Sequence, residues 1–412
     1  MQSARMEIKG INMLQDFGSN PSPKRVRGPE FDRILQLEED YPLARERLPK
    51  LCSLAVDGLR HMALPNMRFP HTMRSIDARK AAAPRPEGDN LRYTINVAQG
   101  LAWMPETVQR GVLHGHSARE LAQSCIDRAA QSREPGAVAL AAWAAAETAG
   151  IFARNLYDIL VEILAESESV ELVPCAWALT AAIAGQHLGD TRRVKDLAWI
   201  MLRDAQSPSG VFPHVTPVSA GGWVRGHVGS FADQVYPIQA MARLGYADDN
   251  IAALKAADAC AARIVELQGS AGQWWWHYDT RDGSVVEGYP VYSVHQHAMA
   301  PMALLDLLDA GGQDHRAAIV KGLGWLDDHP ETDQPMISEQ HSVIWRKVAR
   351  TEPPKLARRI AAGTTALKKG WHLPGLDAVL RPGKIDYECR PYEFGWLLYA
   401  WRSRAVVQDL HP

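Results

Sequence analysis

The residues best suited to chemistry stand at the starts of apolar segments. Asp233 is the only carboxylate at the start of its segment, and His295 holds the corresponding place in another segment. A carboxylate beside an imidazole raises the pKa of the histidine and lowers its own, which gives an acid/base pair that titrates near neutrality. We therefore predict that Asp233 and His295 form a catalytic pair, with Tyr292 and Glu388 as further catalytic candidates. Alternatively, Asp233 is a helix cap that bonds nearby backbone amides.

Twelve further side chains at or near such starts are of types that bind hydroxyl groups, rings or anions. They are Arg92, Tyr93, Gln234, Tyr236, Trp276, His277, Tyr289, Gln296, His297, Glu339, Arg390 and Tyr392. Helix caps are mainly Ser, Thr, Asp and Asn, so repeated Tyr, His, Gln and Arg indicate a substrate pocket. Arg390 is expected either to hold a ligand carboxylate or phosphate, or to pair with Glu388.

Metal and nucleotide sites are not indicated. His295 and His297 are two residues apart, so they point in opposite directions from a regular helix and do not chelate one ion. The five cysteines are scattered and form no CxxC pair, and no phosphate loop or dinucleotide motif occurs. We predict no metal and no cofactor.

Two kinds of helical segment alternate after residue 89. One kind is apolar nearly all round, as in GAVALAAWAAAETAG (136–150); the other is amphipathic, as in ARNLYDILVEILAES (153–167). Helices that are apolar on every side require full burial, whereas amphipathic helices keep one wet face. The alternation predicts an all-α fold in which outer helices surround an inner ring. Inner helices in such a ring all start at one face, which brings the candidate residues together.

An internal repeat supports this arrangement. Gln206 begins a Gln-x3-Gly-x-aromatic motif ending at Phe212, and Gln268 begins another, 62 positions later, ending at Trp274. Gln234 and Gln296 are also 62 positions apart. We predict that each pair occupies equivalent places in successive hairpins, with Phe212 and Trp274 packed between them. Trp276 or Trp275 then faces the ligand.

The repeat resembles that of the α/α-toroid proteins, over residues 90–404. Terpenoid cyclases and prenyltransferase β-chains share a similar Gln-aromatic element, and six-hairpin glycosidases, sugar 2-epimerases and polysaccharide lyases share the two rings. The resemblance implies an (α/α)6-type toroid. Two departures limit it: Asp233 stands alone where class II cyclases carry Asp-x-Asp-Asp, and no cysteine follows it closely as zinc prenyl transfer requires.

Composition sets the remaining expectations. The formal charge of −2 gives no basic excess for nucleic acid, no apolar run approaches the roughly 20 residues of a membrane span, and the first residues lack a secretory signal. We expect a cytoplasmic protein, with its oligomeric state open. We divide the chain into a tail (1–29), an N-terminal helical segment and connection (30–89) and the toroid domain (90–412).

The function expected from these features is that of a carbohydrate-active enzyme. A lyase, hydrolase or epimerase would act on a sugar or uronate-containing saccharide by acid/base chemistry in the toroid mouth. One alternative is an isoprenoid cyclase that uses Asp233 as the proton donor. A second alternative is a non-catalytic toroid that binds a glycan or a protein.

Overall fold

The computed structural model describes residues 32–38, 41–75, 83–353 and 355–402. These residues contain 17 α-helices, and no sheet among them has more than three strands. The predicted all-α class is therefore confirmed. The tail predicted for residues 1–29 lies outside the described residues.

Six helices form an inner ring in which each packs against the next and the last packs against the first. They are α3 (Leu91–Leu101), α6 (Pro135–Ala144), α8 (Leu172–Gly185), α11 (Ala232–Ala247), α13 (Ala300–Asp309) and α17 (Pro391–Ala400). Every residue of α6 after its first proline is buried, as expected for a helix that is apolar all round. Two π-helical turns, Ala145–Ala149 and His295–Met299, extend α6 and precede α13.

Six amphipathic helices surround the ring. They are α2 (Leu43–Met62), α5 (Ala118–Ser132), α7 (Arg154–Glu166), α9 (Arg192–Ala205), α12 (Ile251–Glu266) and α14 (Arg316–Gly324). Outer and inner helices alternate along the chain, which gives the two concentric rings predicted from the sequence. α2 belongs to the segment assigned to an N-terminal extension and packs on α17. The domain boundaries themselves stay predictions.

The other elements are short and lie in the connections. The helices are α1 (Arg33–Glu38), α4 (Glu106–Val112), α10 (Gly222–Arg225), α15 (Leu356–Leu367) and α16 (Leu376–Val379). The strands are β1 (Thr72–Arg74), β2 (Arg85–Glu87), β3 (Val170–Glu171), β4 (Val215–Thr216), β5 (Val228–Ser230), β6 (His277–Asp279), β7 (Val285–Glu287), β8 (Val291–Tyr292), β9 (Ile337–Ser338), β10 (Val343–Ile344), β11 (Lys347–Arg350), β12 (Pro382–Asp386) and β13 (Glu388–Cys389). All of their pairings are antiparallel.

The repeat is confirmed by its hydrogen bonds. The side-chain amides of Gln206 and Gln268 each donate to the carbonyl oxygens of the residues 4 and 50 positions further on, at 2.8 and 2.8 Å for Gln206 and at 3.1 and 2.9 Å for Gln268. Each glutamine thus ties the end of its outer helix to the next outer helix. Phe212 and Trp274 are both fully buried, so the two hairpins share one internal plan.

A buried ion-pair network closes the ring at the carboxyl ends of its helices. The Asp306 carboxylate on α13 accepts hydrogen bonds from Arg243 Nε of α11 at 2.7 Å and from Arg402 at 3.1 Å, and it also pairs with Arg33 of α1. Arg243 in turn donates to Glu147 at 3.0 Å. The network joins four inner helices and α1, and we call it the floor.

Removing the Asp306 charge should destabilise the fold. Burial opposes ionisation of Asp306, but Arg243 and Arg33 outweigh it and hold the pKa far below the usual 3.8. Asp306→Asn should therefore lower the free energy of unfolding at pH 7 by about 3–5 kcal/mol, because guanidinium charges stay buried and uncompensated. In the native protein, the Asp306 carboxylate stabilises the fold fully above pH 3.8. This stabilisation is lost as the pH falls toward the lowered pKa.

The measurement is urea denaturation followed by circular dichroism. Asp190→Asn is the control, since Asp190 pairs with Arg192 on the surface, and it should leave the midpoint unchanged. Native stability in Asp306→Asn would contradict the role given to the floor.

Candidate functional site

The opposite face of the ring, where the inner helices begin, is lined by aromatic side chains. Ring centroids lie 4.7 Å apart for Tyr93 and Tyr392, on α3 and α17, and 4.8 Å apart for Trp276 and Tyr292. We call this face the mouth. Its aromatic lining continues inward through three further rings, which are Trp177, Tyr236 and Trp396.

Arg346 projects into this aromatic setting from the residue before β11. Its guanidinium lies 5.0 Å from the Tyr292 ring centroid. The Nε atom is 3.7 Å from Glu393 Oε1, and a terminal nitrogen is 3.8 Å from carboxylate oxygens of Asp386 and Glu388. Hydrogen bonds of this type are 2.7–3.2 Å long. Arg346 is therefore attracted by carboxylates among the described residues without forming a hydrogen bond to any of them.

Other cations form ion pairs with the carboxylates near Arg346. Lys347 Nζ is 2.9 Å from Asp386, and Glu388 is bonded by Arg390 at 3.2 Å and by Arg74 at 2.5 Å. The arginine cluster consists of Arg74, Arg346, Lys347 and Arg390 with Glu87, Asp386, Glu388 and Glu393. Of the two outcomes predicted for Arg390 from the sequence, the pair with Glu388 is present in this structure.

Because Glu393, the third residue of α17, is protonated, the arginine cluster has an excess of positive charge. Burial raises the pKa of Glu393 to about 8, and Arg346 and Arg390 only partly offset it. Neither carboxylate oxygen has a hydrogen-bond partner among the described side chains. Arg74 also pairs with Glu87 at 3.0 Å, so four cations face three ionised carboxylates while Glu393 is protonated. The cluster thus carries one excess positive charge at pH 7.

Asp233 bonds a histidine other than the predicted one. Its fully buried carboxylate lies 3.2 Å from Nδ1 of His214, a residue just before β4. It also accepts the Ser230 backbone N–H and hydroxyl at 2.7 Å, while the Ser230 hydroxyl accepts the Asp233 N–H at 3.3 Å. This reciprocal pair is a capping box. The hydrogen bond to Asp233 raises the pKa of His214 despite its partial burial.

His295 is placed differently from the prediction. It stacks between Phe231, at 4.3 Å between ring centroids, and Trp276, at 5.9 Å. Burial lowers the pKa of His295 to about 3, whereas the predicted pair with Asp233 required a raised value. The pairing is corrected accordingly: Asp233 partners His214, and His295 is a neutral ring in the mouth wall. Catalytic roles for His295 and Tyr292 stay predictions.

Two predicted substrate-binding glutamines hold the backbone. The Gln234 amide accepts the Phe212 N–H at 2.7 Å and donates to the Phe212 carbonyl at 2.9 Å. Gln296 donates to the Tyr292 carbonyl at 3.2 Å. Such bonds fix loop geometry and leave little of Gln234 for a ligand.

Other predicted residues are spread over the molecule. Arg92 borders the mouth and lies 3.3 Å from Glu134. His277 and His297 are buried, and burial lowers the pKa of each. Tyr289 lines a separate cavity outside the mouth. Glu339 is exposed in a 3-10 turn, near Lys50 of α2.

The structure also brings in residues that the sequence did not single out. They are Arg346, Lys347, Glu393, Trp177 and Trp396. Arg346 and Lys347 reach the mouth because β11 pairs with β8 in a register that places Lys347 opposite Tyr292. The Ser-x-x-Asp spacing of Ser230 and Asp233 is a sequence signal for the capping box, but nothing in the sequence points to His214 as the partner.

No protein-family model and no curated protein sequence matches this chain. Solved structures do match it over most of its length. The unsaturated glucuronyl hydrolase from Streptococcus agalactiae has a TM-score of 0.55 at 11% identity, covering 95% of this chain and 99% of that one. The enzyme of the same name from Bacillus sp. GL1 and another that is specific for heparin each have a TM-score of 0.54 at 14% identity, covering 88% of this chain and 98% of theirs. The chain is an α/α toroid. At these identities, the likeness establishes the fold alone.

Neither a membrane-crossing helix nor a metal-binding cluster occurs among the described residues. No described helix is both long and apolar enough to cross a membrane. No group of three or more His, Cys, Asp or Glu side chains in the same ranges is arranged to hold a metal ion.

The Asp233–His214 pair predicts a titration that depends on the carboxylate. Asp233→Asn keeps the cap but removes the charge, so the pKa of His214 should fall toward its usual 6.5. Ser230→Ala is the control: it removes a cap bond, keeps the carboxylate and should leave the pKa of His214 raised. NMR titration of the His214 ring protons measures both. A His214 pKa that is the same in native and Asp233→Asn proteins would refute the pair.

Glu393 predicts a pH dependence of anion binding at the mouth. As the pH rises past about 8, Glu393 ionises and cancels the excess charge, so the affinity for sulfate should fall several-fold. Glu393→Gln stays neutral and should lose less affinity than the native protein through this range, because only groups shared by both proteins, such as His214, still lose protons. Calorimetric titration with sulfate from pH 6.5 to 9.5 tests this, with Asp190→Asn as an exposed control that keeps the full decline. A decline that persists unchanged in Glu393→Gln would count against Glu393.

Proposed function

We propose that this protein is an enzyme that cleaves a glycosidic bond next to an acidic sugar, by acid/base chemistry in the toroid mouth. The observation that carries the proposal is the Arg346 guanidinium, which lies over Tyr292 and hydrogen-bonds no carboxylate of the described chain. Arginine binds carboxylates through paired N–H groups. A sugar carboxylate is the missing partner in this proposal.

The aromatic lining suits the rest of a saccharide. Trp276 and Tyr292 offer ring faces beside Arg346, and Tyr93 and Tyr392 offer a second pair across the mouth. Sugar rings pack their C–H faces on such surfaces while polar groups satisfy the hydroxyls. The excess positive charge of the arginine cluster favours an anionic saccharide over a neutral one.

The Asp233–His214 pair supplies the proton transfer in this scheme. The His214 side chain is 53% exposed and Asp233 is buried behind it, so the histidine reaches a substrate while the aspartate orients it. The hydrogen bond to Asp233 raises the pKa of His214, which favours the protonated imidazole, and the imidazole donates this proton to the leaving oxygen. The same ring then takes a proton from the water molecule whose oxygen bonds the anomeric carbon in place of the leaving oxygen, which returns the imidazole to its protonated form.

The isoprenoid alternative fits the deeper ring less well. The aromatic faces of Trp143 and Tyr399, at the floor, are covered by the protein's own Arg243 at 5.2 and 5.7 Å. A cyclase needs such faces free for carbocations. The α/α-toroid structures that match this chain include glucuronyl hydrolases, which supports the choice of an acidic saccharide.

Turnover of uronate-containing disaccharides, saturated and 4,5-unsaturated, tests the proposal. Asp233→Asn should cost about 10²–10⁴ in kcat with little change in melting temperature, because asparagine also caps helices. Arg346→Gln should raise KM for a uronate substrate at least tenfold, the loss of one charged hydrogen-bond donor set, while leaving the KM for a neutral analogue unaltered. Asp190→Asn, at an exposed surface site, is the control for both. Full activity in Asp233→Asn, or equal KM changes for both substrates in Arg346→Gln, would reject these assignments.

A further inference from the structure

A second cavity, of about 410 Å³, lies outside the mouth between β7, β11, α15 and α16. Trp275 and Tyr289 form its aromatic wall, with ring centroids 6.0 Å apart. Their near neighbours in sequence, Trp276 and Tyr292, pair with each other in the mouth. Aromatic residues only one or three positions apart in the sequence thus line two different surfaces, the mouth and this cavity.

Arg350 supplies the charge in this cavity. Its guanidinium lies 4.8 Å from the Tyr289 ring centroid. Nε and one terminal nitrogen bond Glu287 at 3.2 and 2.9 Å, and the other terminal nitrogen bonds the Leu380 carbonyl at 2.8 Å. The side chain is only 5% exposed. Arg350 is therefore fixed in one orientation before any ligand arrives.

The remaining contact of Arg350 is replaceable. Its Nη2 atom is 2.8 Å from Asp377, whose side chain is 79% exposed on α16. Ion pairs made by exposed carboxylates contribute little to stability, because water screens them and ordering the side chain costs entropy. A carboxylate that enters the cavity can therefore replace Asp377 at Arg350 with little loss of stability.

We propose that this cavity binds a small carboxylate that carries a ring, with the ring against Trp275 and Tyr289 and the carboxylate on Arg350 in place of Asp377. The other lining residues support a ring, since Val285, Leu373 and Leu376 are apolar. An acidic sugar and an aromatic acid share this chemistry. The site is separate from the proposed catalytic mouth and does not depend on it.

Calorimetric titration with methyl glucuronide, benzoate and neutral methyl glucoside tests the proposal. Asp377→Asn removes the competing carboxylate, so affinity for the two acids should rise about two- to fivefold, the worth of an exposed ion pair, with no gain for the glucoside. Arg350→Lys keeps a positive charge beside Glu287 but loses the planar donors, so it should weaken acid binding at least tenfold. Asp190→Asn changes the net charge equally at a distant exposed site and should have no effect.

The mouth also binds acids in our scheme, so the titrations are repeated in the Arg346→Gln background. Binding that survives there and responds to Asp377→Asn belongs to the cavity, whether or not the mouth proves to be catalytic. The tighter-binding acid identifies the ligand source. The proposal is overturned if neither acid binds in that background, if the glucoside binds as tightly as the acids, or if Asp377→Asn leaves the affinity for both acids unchanged.

Discussion

The ion pairs of Asp306 hold the carboxyl ends of the inner helices together. Arg243, Arg402 and Arg33 converge on this one carboxylate from α11, the end of α17 and α1. The hydrogen bonds of this network specify which residues meet at that end of the ring. The floor therefore fixes α6, α11, α13 and α17 relative to one another near their carboxyl ends.

Closure at the floor decides where chemistry is possible. The Arg243 guanidinium lies over the rings of Trp143 and Tyr399. The Tyr399 hydroxyl donates a hydrogen bond to Glu147 at 2.5 Å. The lower half of the ring is thus occupied by the protein's own polar groups. At the mouth, Arg346 Nε and both carboxylate oxygens of Glu393 have no hydrogen-bond partner among the described residues. Unsatisfied buried polar groups are costly, so these atoms lower the stability of the fold.

Much of the architecture could be predicted from the sequence, and the reason is periodicity. The two kinds of helix differ in how their apolar residues are spaced, and the repeat of Gln206 and Gln268 is visible as a fixed interval. Each signal is local, so it survives without knowledge of distant contacts. The same reasoning placed Tyr93, Trp276 and Tyr292 at the mouth, because helix starts share one face.

The electrostatics of the site escaped prediction because they depend on distant pairings. Arg346 lies more than 50 positions from Tyr292 and meets it only through the β8–β11 register. His214 reaches Asp233 from a loop. The pKa of a histidine cannot be predicted while its partner is unknown. His295 is surrounded by aromatic rings instead of a carboxylate, so its pKa is lowered where the sequence predicted that it would be raised.

Two titratable groups at the mouth favour their protonated forms for different reasons. The hydrogen bond to Asp233 raises the pKa of His214. Glu393 keeps its proton because burial outweighs the neighbouring arginines. Helix amino ends carry partial positive charge, which ordinarily favours ionised glutamate near the first turn, so burial must exceed that effect at Glu393. Both groups add positive charge, or withhold negative charge, at the same face. A face of this kind attracts an anion first and can then deliver a proton to it, which is the order of events that acid-assisted cleavage of an acidic saccharide requires.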